Sequence, residues 1–110
     1  PSVFGPGQKQ DKLIPRFIKH FYLGQKCVVA NNQLREYLFV DEASKSTLNS
    51  LGLSGIVILK GIKIKNLRLQ YLIKCIWQNR RPLKLKKQEE ILFAQLRQTC
   101  DVFQKDANLS

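Results

Sequence analysis

Apolar residues recur at helical spacing in three parts of the chain. Leu13, Ile14, Phe17, Ile18 and Phe21 form one stripe, which predicts an amphipathic helix between Asp11, a candidate N-cap, and Gly24, a good helix stop. Pro15 is compatible with that helix only near its first turn, so the start lies close to Asp11. Leu69, Leu72, Ile73 and Ile76 predict a second helix over 67–79, ended ahead of Pro82. Leu92, Phe93, Leu96, Cys100 and Phe103 predict a third over 86–104.

Between the helices the period changes. "KCVVA" (26–30) is a short β-branched run and reads as a strand; "NNQ" is turn chemistry. "EYLFV" (36–40) is almost continuously apolar, as in a sheet covered on both faces. "GIVIL" and "GIKIK" are further strand candidates, and either Ile56–Leu59 or Ile62–Ile64 could be the fourth strand. Val3 and Phe4 end a first strand, with Gly5-Pro6-Gly7 as the turn behind it. "DEASKSTLNSLG", from Asp41 to Gly52, reads as a short helix. Strands alternating with helices imply an α/β fold, a small, mostly parallel four-stranded sheet flanked by helices, plus a C-terminal helix. Leu13, Phe17, Val28, Val29, Leu38, Val40, Leu72, Ile73 and Ile76 are the expected core.

Composition narrows the function. The 110 residues suffice for one core, and no apolar run nears the roughly 18 residues that span a bilayer, so no membrane segment is expected. The absence of Met and the start at Pro1 suggest a domain cut from a longer protein. Cys27, Cys75 and Cys100 have no C-x-x-C spacing, and His20 is the lone histidine. No usual zinc set can be built, and buried, reduced thiols of an intracellular protein are expected. His20 reads as a polar residue on the outer face of the first helix. Glu89-Glu90 and Asp41-Glu42 read as caps and solvated charges. With no P-loop and no G-x-G-x-x-G, the residues point to a non-enzymatic domain without cofactor or metal.

Charge is the strongest global signal. The formal net charge is +11, and residues 60–110 hold 12 Lys/Arg against 4 Asp/Glu. From Lys60 to Lys87 there is no acid. Lys60, Lys63, Lys65, Arg68, Arg80, Arg81, Lys84, Lys86 and Lys87 are therefore the candidate anion or nucleic-acid-binding residues.

"IKCIWQNRRPLKLKK" (73–87) resembles a homeodomain recognition helix. The likeness is local: strands precede it where two helices should, and Pro82 interrupts the basic extension. A longer series resembles a BRCT domain over about residues 3–83. "YLGQKCVV" (22–29) is similar to that family's L-G-G-x-V-V segment and "EYLFV" to its T-H-L-I-V strand. "YLIKCIWQNRRPL" (71–83) is similar to its last helix, with Tyr71 at the core tryptophan position. The resemblance implies a domain over 1–85, with 86–110 as a helical extension packed on it. It also implies a nuclear binding module of a DNA-repair, replication or telomere protein, with a protein partner that in this family is often phosphorylated. DNA bound through the basic stretch is the alternative. The family's phosphopeptide pocket carries over poorly. Gly5 matches its glycine, Phe4 stands in for the hydroxyl residue, and Asn49 falls where the lysine belongs, with Lys45 the nearby substitute. Partner identity and oligomeric state are open.

Overall fold

A computed structural model describes residues 1–7, 12–26, 28, 29, 31–41 and 60–109. Strand β1 (Ser2–Phe4) leads through Gly5-Pro6-Gly7 toward helix α1 (Leu13–Tyr22). Strand β2 (Leu34–Phe39), strand β3 (Ile62–Lys65) and helix α2 (Asn66–Trp77) follow, and α3 (Lys87–Leu109) ends the described chain. The architecture is α/β, with a small mixed three-stranded sheet among the described residues, in the order β1-β2-β3. β1 pairs with β2 in parallel, Val3 opposite Leu38; β2 pairs with β3 antiparallel, Arg35 opposite Ile64 and Tyr37 opposite Ile62.

Among the described residues the expected mostly parallel four-stranded sheet is therefore corrected to a mixed three-stranded one. β2 is central, and its Tyr37, Leu38 and Phe39 are all buried, as its apolar run requires. β3 lies beside it in the opposite direction. Its Lys63 and Lys65 are exposed while Ile64 is buried, the one-face-wet alternation that antiparallel strands tolerate. GIKIK thus supplies the third strand; GIVIL and residues 42–52 of the expected helix lie outside the described residues, and Asp41 is helical. KCVVA is a second correction: residues 26, 28 and 29 are in no strand, and Val28 is 85% exposed. Its β propensity finds no pairing partner among the described residues, and the segment becomes the wall of a cleft. Val40, at the end of β2, is also exposed.

The helices form as their stripes demand. α1 buries Ile14, Phe17 and Ile18; its N-cap is Lys12, without a side-chain cap bond. It stops in a left-handed turn: Gly24 has φ +67°, its N–H bonds the Phe21 carbonyl, and the Gln25 N–H bonds the His20 carbonyl. That pair of bonds is the Schellman closure, and glycine adopts its φ without penalty. α2 buries Leu69, Leu72, Ile73 and Cys75; α3 buries Leu92, Phe93, Leu96 and Cys100. All three helices and the sheet share one apolar cluster. Tyr71, expected in the core, is only half-buried: Arg68 and Arg80 lie over its ring, and its hydroxyl accepts the Leu83 N–H at 3.0 Å. It braces the exit of α2 from outside the core.

Candidate functional site

The loop 31–33, read from sequence only as a turn, clamps the start of α2. Asn32 Oδ1 accepts the Leu67 N–H at 2.9 Å, the Gln33 carbonyl accepts the Asn66 N–H, and Asn66 Nδ2 donates to the Asn31 carbonyl at 2.8 Å. These bonds satisfy amides that a helix start leaves open. They tie Asn31, Asn32 and Gln33 to the first turn of α2.

Beside α1 lies a cleft of about 660 Å³. Arg16 and His20 reach it from α1, Lys26 and Arg35 from the opposite wall, and Gln33 and Asn66 from its end. Its apolar side comes from Leu13, Phe17 and Val29. Two side-chain atoms here are buried without a hydrogen-bond partner among the described residues, His20 Nδ1 and Asn66 Oδ1. Buried polar atoms are ordinarily paired, so the hydrogen bonding around the cleft is incomplete at these two positions. Arg35 also borders a recess of about 130 Å³ beside Tyr37. Burial pushes the Tyr37 phenol up, partly offset by the Arg35 charge, and its hydroxyl is likewise unpartnered.

Sequence reasoning placed His20 on an outer face; it is half-buried at this cleft. It missed Arg16, Lys26, Gln33, Arg35 and Asn66. The usable signal was the i,i+4 pair Arg16 and His20, which share one helix face beside the apolar stripe.

The expected anion-binding residues divide. Lys63, Lys65, Arg68, Lys84, Lys86 and Lys87 line a second depression of about 640 Å³ between β3 and the start of α3. Arg80 and Arg81 line another, of about 380 Å³, with Glu90 and Phe93. Lys60 is exposed just ahead of β3. Arg68 is committed to structure: its Nε donates to Glu89 at 2.8 Å and its NH2 group to the Leu83 and Lys84 carbonyls. The hydrogen bond from Arg68 holds the Glu89 carboxyl below its usual range, and the same bond raises Arg68. The exposed Arg81–Glu90 pair, 2.9 Å apart, is worth at most about 1 kcal/mol.

The remaining candidates lie elsewhere. Gly5 is buried with Val40 and Phe39 beside it; Lys45 and Asn49 lie outside the described residues. Cys75 and Cys100 are buried free thiols, and burial pushes Cys100 up to about 12, which keeps it protonated near neutrality; Cys27 lies outside the described residues. No group of metal-ligating side chains occurs among the described residues.

Comparison with known proteins redirects the functional reading. The model of the NAD dependent epimerase/dehydratase family matches residues 1–51. Among solved structures, the capsular polysaccharide assembling protein CapF from Staphylococcus aureus superposes with a TM-score of 0.75 at 18% identity. The superposition covers 94% of this chain and 31% of CapF, so the chain spans about a third of that protein's length. At that identity the likeness shows the fold alone. No curated protein matches the chain.

These findings overturn the BRCT resemblance. The likeness at 22–29 to a strand-forming segment fails in the structure, where residues 26, 28 and 29 are in no strand. With it fall the nuclear location, the DNA-repair interaction module and its DNA-binding alternative. The non-enzymatic reading is corrected as well, because the family that matches residues 1–51 is one of enzymes.

Proposed function

We propose that this chain forms the substrate-side part of an NAD-dependent epimerase or dehydratase, and that the cleft between α1 and the 26–35 wall holds an anionic, hydroxyl-bearing substrate. One observation carries the reading. Every residue lining the cleft except Asn66 falls within the segment that matches the epimerase/dehydratase family.

The chemistry agrees. Epimerases and dehydratases act at carbons that carry hydroxyl groups or lie next to them. Amides such as Gln33 and Asn66 can both donate to and accept from hydroxyls. Arg16, Lys26 and Arg35 supply the cationic side, and an Arg fork suits a phosphate. CapF takes part in capsular polysaccharide assembly, so a phosphorylated sugar is the natural substrate class to test.

The dinucleotide implied by the family name does not fit the described residues. Gly5-Pro6-Gly7 follows a strand and precedes a helix, as a dinucleotide cradle would. Yet Gln10 stands at the position of the third glycine, which such a cradle uses to pack its helix closely on the strand. This part of the protein therefore binds and orients substrate, and no step of the cofactor chemistry is assigned to its residues.

Calorimetric titration with glucose 1-phosphate and with glucose tests the reading. Glucose 1-phosphate should bind more tightly than glucose. Arg35→Glu, at an exposed position, should weaken only the phosphorylated sugar, by roughly ten- to hundredfold for one lost charge-assisted contact. Equal affinity for the two sugars, or no effect of Arg35→Glu, would remove the substrate role from this cleft.

A further inference from the structure

We propose that the depression between β3 and the start of α3 is a second binding site, for a compact polyphosphate group, separate from the α1 cleft. Five lysines converge on it. Lys63 and Lys65 come from the exposed face of β3, and Lys84, Lys86 and Lys87 from the α2–α3 connection and the first residue of α3. None of the five ammonium groups is in an ion pair among the described residues.

Glu89 lines the same depression and could have neutralised them, but it is already taken. Its carboxylate accepts Arg68 Nε at 2.8 Å and the Lys86 N–H at 3.0 Å. The pair leaves the local charge at that of the five lysines, and clustered charge over a concave, low-dielectric wall attracts anions.

The connection that carries Lys84 and Lys86 is held in place. Arg68 binds the Leu83 and Lys84 carbonyls, Tyr71 accepts the Leu83 N–H, and Glu89 accepts the Lys86 N–H. Lys84 sits at φ +52°, in the left-handed region that a side chain adopts at a cost. Such strain persists only where surrounding bonds over-determine it, and it occurs preferentially at binding sites. Here it fixes Lys84 on the rim of the depression.

The lining selects the ligand class. The one arginine is engaged by Glu89, so no free guanidinium fork is offered to a carboxylate. No aromatic ring lines the depression, so nothing stacks the bases of a nucleic-acid strand. What remains is a cluster of lysine point charges around a volume of about 640 Å³, the size of a small-molecule site. A short chain of phosphates fits that chemistry, whether inorganic or carried by a nucleoside.

Inorganic tripolyphosphate is the direct probe, titrated by calorimetry at low salt with ATP and adenosine alongside. Tripolyphosphate should bind, and more weakly as salt rises. Equal affinity for ATP identifies the phosphate chain as the whole ligand. Tighter ATP binding identifies a nucleotide whose base rests on Leu34 and Ile64. Lys84→Glu/Lys86→Glu and, separately, Lys63→Glu/Lys65→Glu should each weaken tripolyphosphate at least tenfold, since all four positions are exposed. Arg35→Glu, in the other cleft, should leave it unchanged. Unaltered binding in both double variants would overturn the proposal. So would an equal loss in Arg35→Glu, or duplex DNA binding that tripolyphosphate cannot displace.

Discussion

The cleft beside α1 and the basic ground between β3 and α3 are built on opposite principles. The cleft is assembled from residues between 13 and 35 together with Asn66, and leaves buried polar atoms of His20 and Asn66 without partners among the described residues. The basic region comes largely from one stretch, and its buried polar groups are satisfied: Arg68 and Glu89 bind each other and the backbone around them. Charge density in a sequence marks the second kind of region. An unfinished set of hydrogen bonds, visible only in three dimensions, marks the first.

α2 joins the two regions, since its start is clamped by loop 31–33 and its face carries Arg68. The largest effect is therefore expected where α2 meets the core. Leu72 is fully buried, and Leu72→Ala should cost about 2–5 kcal/mol. In a chain of this size that lowers the melting temperature by roughly 10 °C or more. Both regions should be lost in the same cooperative transition when followed by near-ultraviolet dichroism and by hydrogen exchange. Two separate transitions would show that cleft and basic ground are independent units.

A smaller effect should separate them. Arg68→Ala removes the partner of Glu89, whose side chain is only 12% exposed, together with the bonds to Leu83 and Lys84. About 2 kcal/mol is expected for losing charge-assisted bonds at a partly exposed site. The pH dependence carries the signature. Glu89 in the folded protein titrates below its usual 4.5. Its contribution is complete above about 4.5 and is lost as pH falls through the lowered folded value. Denaturant melts should therefore show the protein losing its advantage over Arg68→Ala as pH drops below about 4.5. A difference that stays constant from pH 7 to pH 3 would mean that the ion pair contributes nothing. Hydrogen exchange around Asn31 and Asn66 should be unchanged in this variant, which confines the damage to the basic side.

The same contrast explains how much could be read in advance. The helices at 13–22, 66–77 and 87–109 were legible because burial on one face writes a 3.6-residue period into the sequence. β2 was legible as a continuous apolar run. The direction of β3 was not, because Ile62 and Ile64 alternate with Lys63 and Lys65 identically in either orientation; pairing with Glu36 and Arg35 decides it. Val28 misled for a related reason: a β-branched residue favours a strand only where a partner strand exists. The cleft was illegible because its amides and cations look like ordinary surface residues until Asn32 and Asn66 draw the wall and α2 together.

The finest test concerns Tyr71, which the family resemblance placed in the core. Its half-burial and its contacts with Arg68, Arg80 and the Leu83 N–H make it a brace for the lysine-bearing connection instead. Tyr71→Phe keeps the ring and both cation contacts and removes only the acceptor for Leu83. A hydrogen bond at an exposed site is worth about 0.5–1 kcal/mol, so global stability should fall by no more than that. The local consequence should be clearer than the global one. The freed Leu83 amide should exchange faster with solvent, while the amides of Asn66 and Leu67 at the far end of α2 keep their protection. A loss near 3 kcal/mol would return Tyr71 to the core. An unchanged Leu83 exchange rate would show that Arg68 alone holds the connection.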